Sequence, residues 1–132
     1  MMEPRWIATD EVIALNAALL EGTAEHHFTR DLGGLESAVS RVQNRFAYAG
    51  DISASGLVAD LIYGIGKAHA FEQGNKRAAW AAGRYFARIN GFHIRVAEAA
   101  QLPLAETVEN VLTDKADRIQ LQVLIENFLV TV

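Results

Sequence analysis

Residues 69–90 read HAFEQGNKRAAWAAGRYFARIN, and the character of the chain changes at Gly74. His69 to Gly74 has no helical period and reads as a break. From Asn75 to about Asn90 the pattern predicts a long helix, with Asn90-Gly91 as a good C-terminal stop. Its first half is rich in small residues: Ala78, Ala79, Ala81, Ala82 and Gly83. Small side chains let neighbouring helices come close, so this segment predicts a central helix with others around it.

Working upstream, Ser53 to Ala68 predicts a third helix, the most apolar of the chain. Leu57, Val58, Leu61, Ile62 and Ile65 follow a spacing of three to four, which favours helix over strand. Gly64 and Gly66 each cost about 1 kcal/mol of helix propensity and suggest close backbone packing. A second helix is expected from Leu35 to Ala47, with Leu35, Val39, Val42 and Phe46 on one face, and a turn from Tyr48 to Asp51. Before it, residues 23–34 read as a loop closing at Gly33-Gly34. A first helix is expected from Thr9 to Leu20. Thr9 is its plausible N-cap, Asp10 and Glu11 suit the positive end of its dipole, and Val12, Leu15 and Leu19 form its apolar stripe. Downstream, Phe92 to Val96 reads as a short extended connection. Two more helices follow near Leu104–Leu112 and Ala116–Val130, the last with Leu121, Leu124, Ile125 and Phe128 inward. The expected fold is all-α: a compact single-domain bundle of about six helices around a central helix, over residues 1–132.

Composition fits this. The chain is 51% apolar and 21% charged, enough for one real core and too apolar for disorder. It has no Cys, which excludes disulfides, thiolate catalysis and Cys-based zinc sites. No stretch has the apolar length of a membrane span, and MMEPRWIATD lacks the basic and apolar regions of a secretory signal. A cytoplasmic protein without membrane partners is the expectation. The net charge of −4 lacks the basic surplus of a generic nucleic-acid binder, so no direct nucleic-acid partner is expected.

The chemistry concentrates in His69-Ala70-Phe71-Glu72-Gln73-Gly74-Asn75-Lys76-Arg77. A turn feeds directly into a helix start, where unpaired amides and the dipole favour anions. Gly74 permits close backbone approach, and Asn75 can cap the helix or bond a bound oxygen. Lys76 and Arg77 add two cations, and Arg can grip phosphate with parallel bonds. His69 is the side chain suited to general-base work near neutral pH. A base beside a phosphate cradle points to phosphoryl or nucleotidyl transfer. Read alone, the same residues also fit a structural His and a solvated Lys-Arg pair.

The stretch resembles the signature of the Fic/Doc superfamily: His-x-Phe, two residues, Gly or Ala, then Asn. The Fic branch continues Gly-Arg-x-x-Arg and the Doc branch Lys-Arg. Asn75-Lys76-Arg77, with Trp80 where the Fic branch has its second Arg, is similar to Doc. The length, the helical reading, Leu32 to Ala38, Arg41 to Tyr48 and Asn90-Gly91-Phe92 also resemble Doc-like proteins, over residues 6–130.

The resemblance implies a Doc-type (death-on-curing) toxin of a toxin–antitoxin pair, acting on ATP. His69 would deprotonate the acceptor hydroxyl. Phe71 would anchor the loop in the core. Gly74, Asn75 and Arg77 would hold phosphates. Lys76 would favour the nucleotide orientation that presents the γ-phosphate, making a kinase rather than an AMP-transferase. The implied target class is the translation machinery, notably elongation factor Tu. The implied partner is a small antitoxin whose helix lies in a groove, to be sought around the first helix and residues 22–34. The family also implies Mg²⁺, but Gln73 stands where it usually has Asp or Glu. A neutral amide is a poorer ligand for a hard cation. Three alternatives stay open: Mg²⁺ held mainly by ATP, Glu72 in place of Gln73, or weak metal binding with lost or changed activity, as in a Fic-fold binding protein. His26-His27 beside Glu25 reads as exposed loop rather than metal site, His93 as solvent-facing, and Trp6 and Trp80 as core or groove residues.

Overall fold

The computed structural model describes residues 3–49 and 52–132. Its elements are α1 (Thr9–Leu20), α2 (Leu32–Ala49), α3 (Ala54–Ala68), α4 (Asn75–Ile89), β1 (Phe92–Ile94), α5 (Glu98–Leu112), α6 (Arg118–Phe128) and β2 (Leu129–Thr131). The fold is all-α, as the pattern predicts, apart from one two-stranded antiparallel ribbon that pairs Phe92 with Thr131 and Ile94 with Leu129.

The central helix is α3, not α4. From Ser55 to Gly66 every residue of α3 except Tyr63 is buried, and α2, α4 and α6 all pack on it. A helix apolar on all sides belongs inside, whereas the small residues of α4 line one face of an amphipathic helix. That face meets α3 closely: a Cβ built on Gly83 would lie 2.6 Å from Ile62 Cγ1. Gly66 is similarly crowded by Leu112, 2.6 Å from its Cδ1. The two sites differ in what can move. Ile62 is fully buried, while Leu112 is only half-buried. Gly83→Ala therefore meets an overpacking cost of about 1–3 kcal/mol against a helix-propensity gain of about 1 kcal/mol. Gly66→Ala keeps the gain and meets a side chain that can swing aside. Urea denaturation should show the first destabilised and the second neutral or stabilised.

Helix α1 has the expected bounds, but its cap and buried stripe differ from the sequence reading, as do ends of α2, α5 and α6. In α1 the N-cap is Ala8, not Thr9, and Glu11 Oε1 accepts from the Ala8 N–H at 2.8 Å. Its buried face is Val12, Asn16 and Leu20, so the stripe is rotated away from Leu19, which is 37% exposed. Helix α2 starts at Leu32, because Asp31 Oδ1 accepts from the Gly34 N–H at 2.8 Å and caps a first turn containing both glycines. It continues through Ala49; Gly50 and Asp51 of the expected turn lie outside the described residues. Helix α5 begins six residues before Leu104, with Pro103 inside it. Ala99, whose carbonyl loses its partner to Pro103, faces solvent, where water can satisfy it. Finally, α6 ends at Phe128, and the last residues form β2.

Candidate active site

The turn between α3 and α4 is bracketed by two left-handed residues. His69 ends α3 at φ 47°, ψ 43°, and Gly74 caps α4 at φ 81°, ψ 18°. A non-glycine residue in this region costs about 1–2 kcal/mol, and such strain gathers at functional sites. His69 is exposed. Gly74 has no substitute of the ordinary kind: its φ strains any side chain, and a Cβ would lie 2.9 Å from Asn16 Nδ2.

Between these ends the chain is anchored. Phe71 is fully buried in the core. It forms an isolated antiparallel bridge with Thr29. The N–H groups of Arg30 and Asp31 donate to the Ala70 carbonyl at 2.7 and 3.1 Å, and the Glu72 N–H donates to the Phe28 carbonyl at 2.9 Å. Asn75 neither caps the helix nor offers its amide outward. Its Oδ1 accepts from the Phe71 N–H at 3.0 Å and its Nδ2 donates to the Phe71 carbonyl at 2.8 Å. Gly74 is the cap in its place, and the Asn75 side chain locks the turn.

Two residues that the sequence reading did not assign to the site also hold this turn. Asn16, fully buried on α1, donates from Nδ2 to the Gln73 carbonyl at 3.0 Å and to the Gly74 carbonyl at 3.5 Å. Its Oδ1 lies 2.7 Å from His27 Nδ1, and the His27 ring tilts against Phe71 at 5.9 Å. Asn16 had one visible signal, a polar residue at the helical spacing of Val12 and Leu20. His27 had none, since its partners lie on distant segments.

Lys76 and Arg77 emerge from the first turn of α4, both exposed. Each holds a carboxylate of this chain: Lys76 pairs with Glu109 on α5 and Arg77 with Glu25, both at 2.7 Å. The bond and charge of Lys76 hold the Glu109 carboxyl below its usual range. Exposed pairs of this kind contribute little to stability. Two nearby basic residues are engaged elsewhere: Lys67 pairs with Asp114 at 2.6 Å, and Arg88 lies 3.1 Å from His93 Nδ1. Trp6 packs in the core against Phe46 and Phe86, and Trp80 borders a cleft.

For a metal, the turn offers little. Gln73 Oε1 accepts from the His26 N–H at 3.2 Å, which leaves Glu72 as the turn's one carboxylate. Among the described residues no group of three or more His, Cys, Asp or Glu side chains converges, His26, His27 and Glu25 included. These residues do not build a protein cage for Mg²⁺, an ion that commonly takes one or two carboxylates together with phosphate and water.

An exposed His on a left-handed turn thus lies beside a helix N-terminus that carries two cations, Lys76 and Arg77. The Fic/DOC family model matches residues 6–87, and the chain belongs to that family. Its members are typically transferases of nucleotide-derived groups. No curated protein matches the chain. Among the described residues, no helix is long and apolar enough to cross a membrane.

Proposed function

We propose that the chain is a Doc-like toxin that transfers the γ-phosphate of ATP to a hydroxyl of a cytoplasmic target protein. A component of the translation machinery, such as an elongation factor, is the expected target. The observation that carries this reading is the exposed His69 on a turn locked directly against the α4 N-terminus. In the proposed step the target's hydroxyl oxygen attacks the γ-phosphorus and gives its proton to the His69 imidazole. The bond from that phosphorus to the β,γ-bridging oxygen breaks, and ADP leaves. Lys76, Arg77 and the backbone N–H groups after Gly74 bear the phosphate charge. Mg²⁺ would arrive with ATP, held by its phosphates and water, and no step here passes through it. Lys76 in the Doc position favours γ- over α-transfer, hence kinase over AMP-transferase. A cognate antitoxin helix would cover the surface near α1 and the 22–34 loop, where Leu19, Phe28 and Leu32 are exposed.

A second reading, a Fic-fold binding protein with weakened catalysis, draws on Gln73, whose side-chain oxygen is engaged by His26. One assay separates the readings. Purified protein is incubated with bacterial lysate, Mg²⁺ and ATP labelled at the α- or γ-phosphate, with His69→Ala as control. The expected result is γ-label on a protein band, reduced about 10²–10⁴-fold in the control. Transfer of α-label would make the protein an AMP-transferase. No transfer from wild type, Gln73→Asp or Glu25→Gln would leave the binding reading.

A further inference from the structure

The cationic face of α4 does not end with the motif. Lys76, Trp80 and Arg84 follow at intervals of four, with Arg77 beside them, so they form a row along one side of the helix. Facing this row across a cleft are Leu104, Ala105 and Val108 of α5, and Val96 also lines it. The cleft exists because α5 packs on α6 and α3 rather than on α4. Its cavity of about 430 Å³ is within the range of small-molecule sites. Its motif end is spanned by the Lys76–Glu109 pair, which joins α4 to α5.

Three properties of this cleft specify a ligand. The walls are apolar apart from Gln101 and the cations, which suits an uncharged flat body. Trp80 supplies a large aromatic surface, half-buried and therefore partly open to the cleft. The cations Lys76, Arg77 and Arg84 leave no place for a positively charged ligand and favour an anionic one. From Lys76 to Arg84 the helix rises about 12 Å, long enough for a phosphorylated nucleoside to lie lengthwise. Since two lining cations are those of the proposed phosphate cradle, cleft and cradle are continuous.

We propose that this cleft is the base site of the nucleotide whose phosphates the turn holds, with Trp80 stacking on the base as a specificity-determining residue. The inference rests on the reading of residues 74–77 as a phosphate cradle. It gives a physical sense to Trp80 at the position where the Fic branch carries an Arg: an aromatic stacking surface stands there in place of a cation. Glu109 would give way to phosphate when the nucleotide enters.

The test is calorimetric binding of ATP and of inorganic tripolyphosphate to the full chain, for wild type, Trp80→Ala, Trp80→Phe and Ala105→Phe. Ala105 is exposed on α5, so its Phe variant fills the cleft from the surface without touching the core. Circular dichroism checks that each variant is folded. ATP affinity should fall ~10-fold or more in Trp80→Ala and in Ala105→Phe, the effect of losing one base–aromatic stack. Trp80→Phe should recover most of it, and tripolyphosphate should bind all four proteins alike. Unchanged ATP affinity in both Trp80→Ala and Ala105→Phe would place the base elsewhere and overturn the proposal, with the cradle intact. An equal loss of tripolyphosphate in those variants would also overturn it, because the cleft would then act on phosphate. Failure of wild type to bind either probe would remove the cradle reading and this inference with it.

Discussion

Asn16→Ala is expected to lower stability by about 2–3 kcal/mol and to weaken nucleotide binding and transfer beyond what that loss explains. The side chain is fully buried, so its two donors and its acceptor find partners only within the protein. Those partners are the Gln73 and Gly74 carbonyls and His27 Nδ1. Truncation leaves the Gln73 carbonyl without its side-chain donor, a cost of about 1–3 kcal/mol, and adds a small cavity. A loss of 2–3 kcal/mol corresponds to roughly 10 °C in Tm for a domain of this size. The functional effect follows from position: the two carbonyls Asn16 holds belong to the residues immediately before the α4 N-terminus. With them released, the first N–H groups of α4 and the His69 ring no longer keep a fixed relation. Asn16→Asp separates shape from chemistry, since it keeps the size but cannot donate and repels both carbonyls. It should be no better than Ala. Urea denaturation and ATP titration of the two variants check this. Binding as tight as wild type in a measurably destabilised Asn16→Ala would show that α1 supports the fold without organising the site.

The same residue marks what the sequence could tell. The boundaries of α1, α3 and α4 were legible because periodicity and end signals are local: apolar spacing in α3, Ser53 capping the Gly56 N–H, and Asn90-Gly91 closing α4. The motif was legible for the same reason, as nine consecutive residues carry it. What escaped depends on pairing across distance. Residues 22–31 look like an ordinary polar loop, yet Phe28 to Asp31 bind the motif turn through backbone groups some forty positions away. Strand β2 continues the apolar pattern of α6, and only the presence of β1 turns it into a strand. Asn75 is instructive in a different way. Its type suits a cap, and the sequence cannot show that the Phe71 backbone takes both ends of its amide.

Asp60 carries the other large effect, far from the motif. It is buried on α3 and holds Arg118 of α6 at 2.6 Å and Arg45 of α2, so one carboxylate ties three helices. Burial is the larger influence on it and pushes its carboxyl above the ordinary value, against the opposing pull of Arg118 and then Arg45. A carboxyl raised in the fold binds its proton more tightly there than in the unfolded chain. Its contribution is whole below the unfolded pKa, about 4, and declines as pH rises through the folded value. At neutral pH the ionised Asp60 is thus kept by its arginines at a net desolvation cost, which is common for buried ion pairs. Two opposite expectations follow. Asp60→Ala leaves two guanidiniums facing each other without their counter-charge and should cost about 3 kcal/mol. This is the low end for a broken buried pair, because Arg45 is 44% exposed and can turn to water. Replacing all three together, with Arg45→Met, Asp60→Leu and Arg118→Met, removes the charges as well as the attraction. That variant should unfold within about 1 kcal/mol of wild type, or above it. Urea denaturation near neutral pH compares them directly. A triple variant as unstable as the single one would mean that the triad is a net source of stability and that burial does not outweigh its arginines.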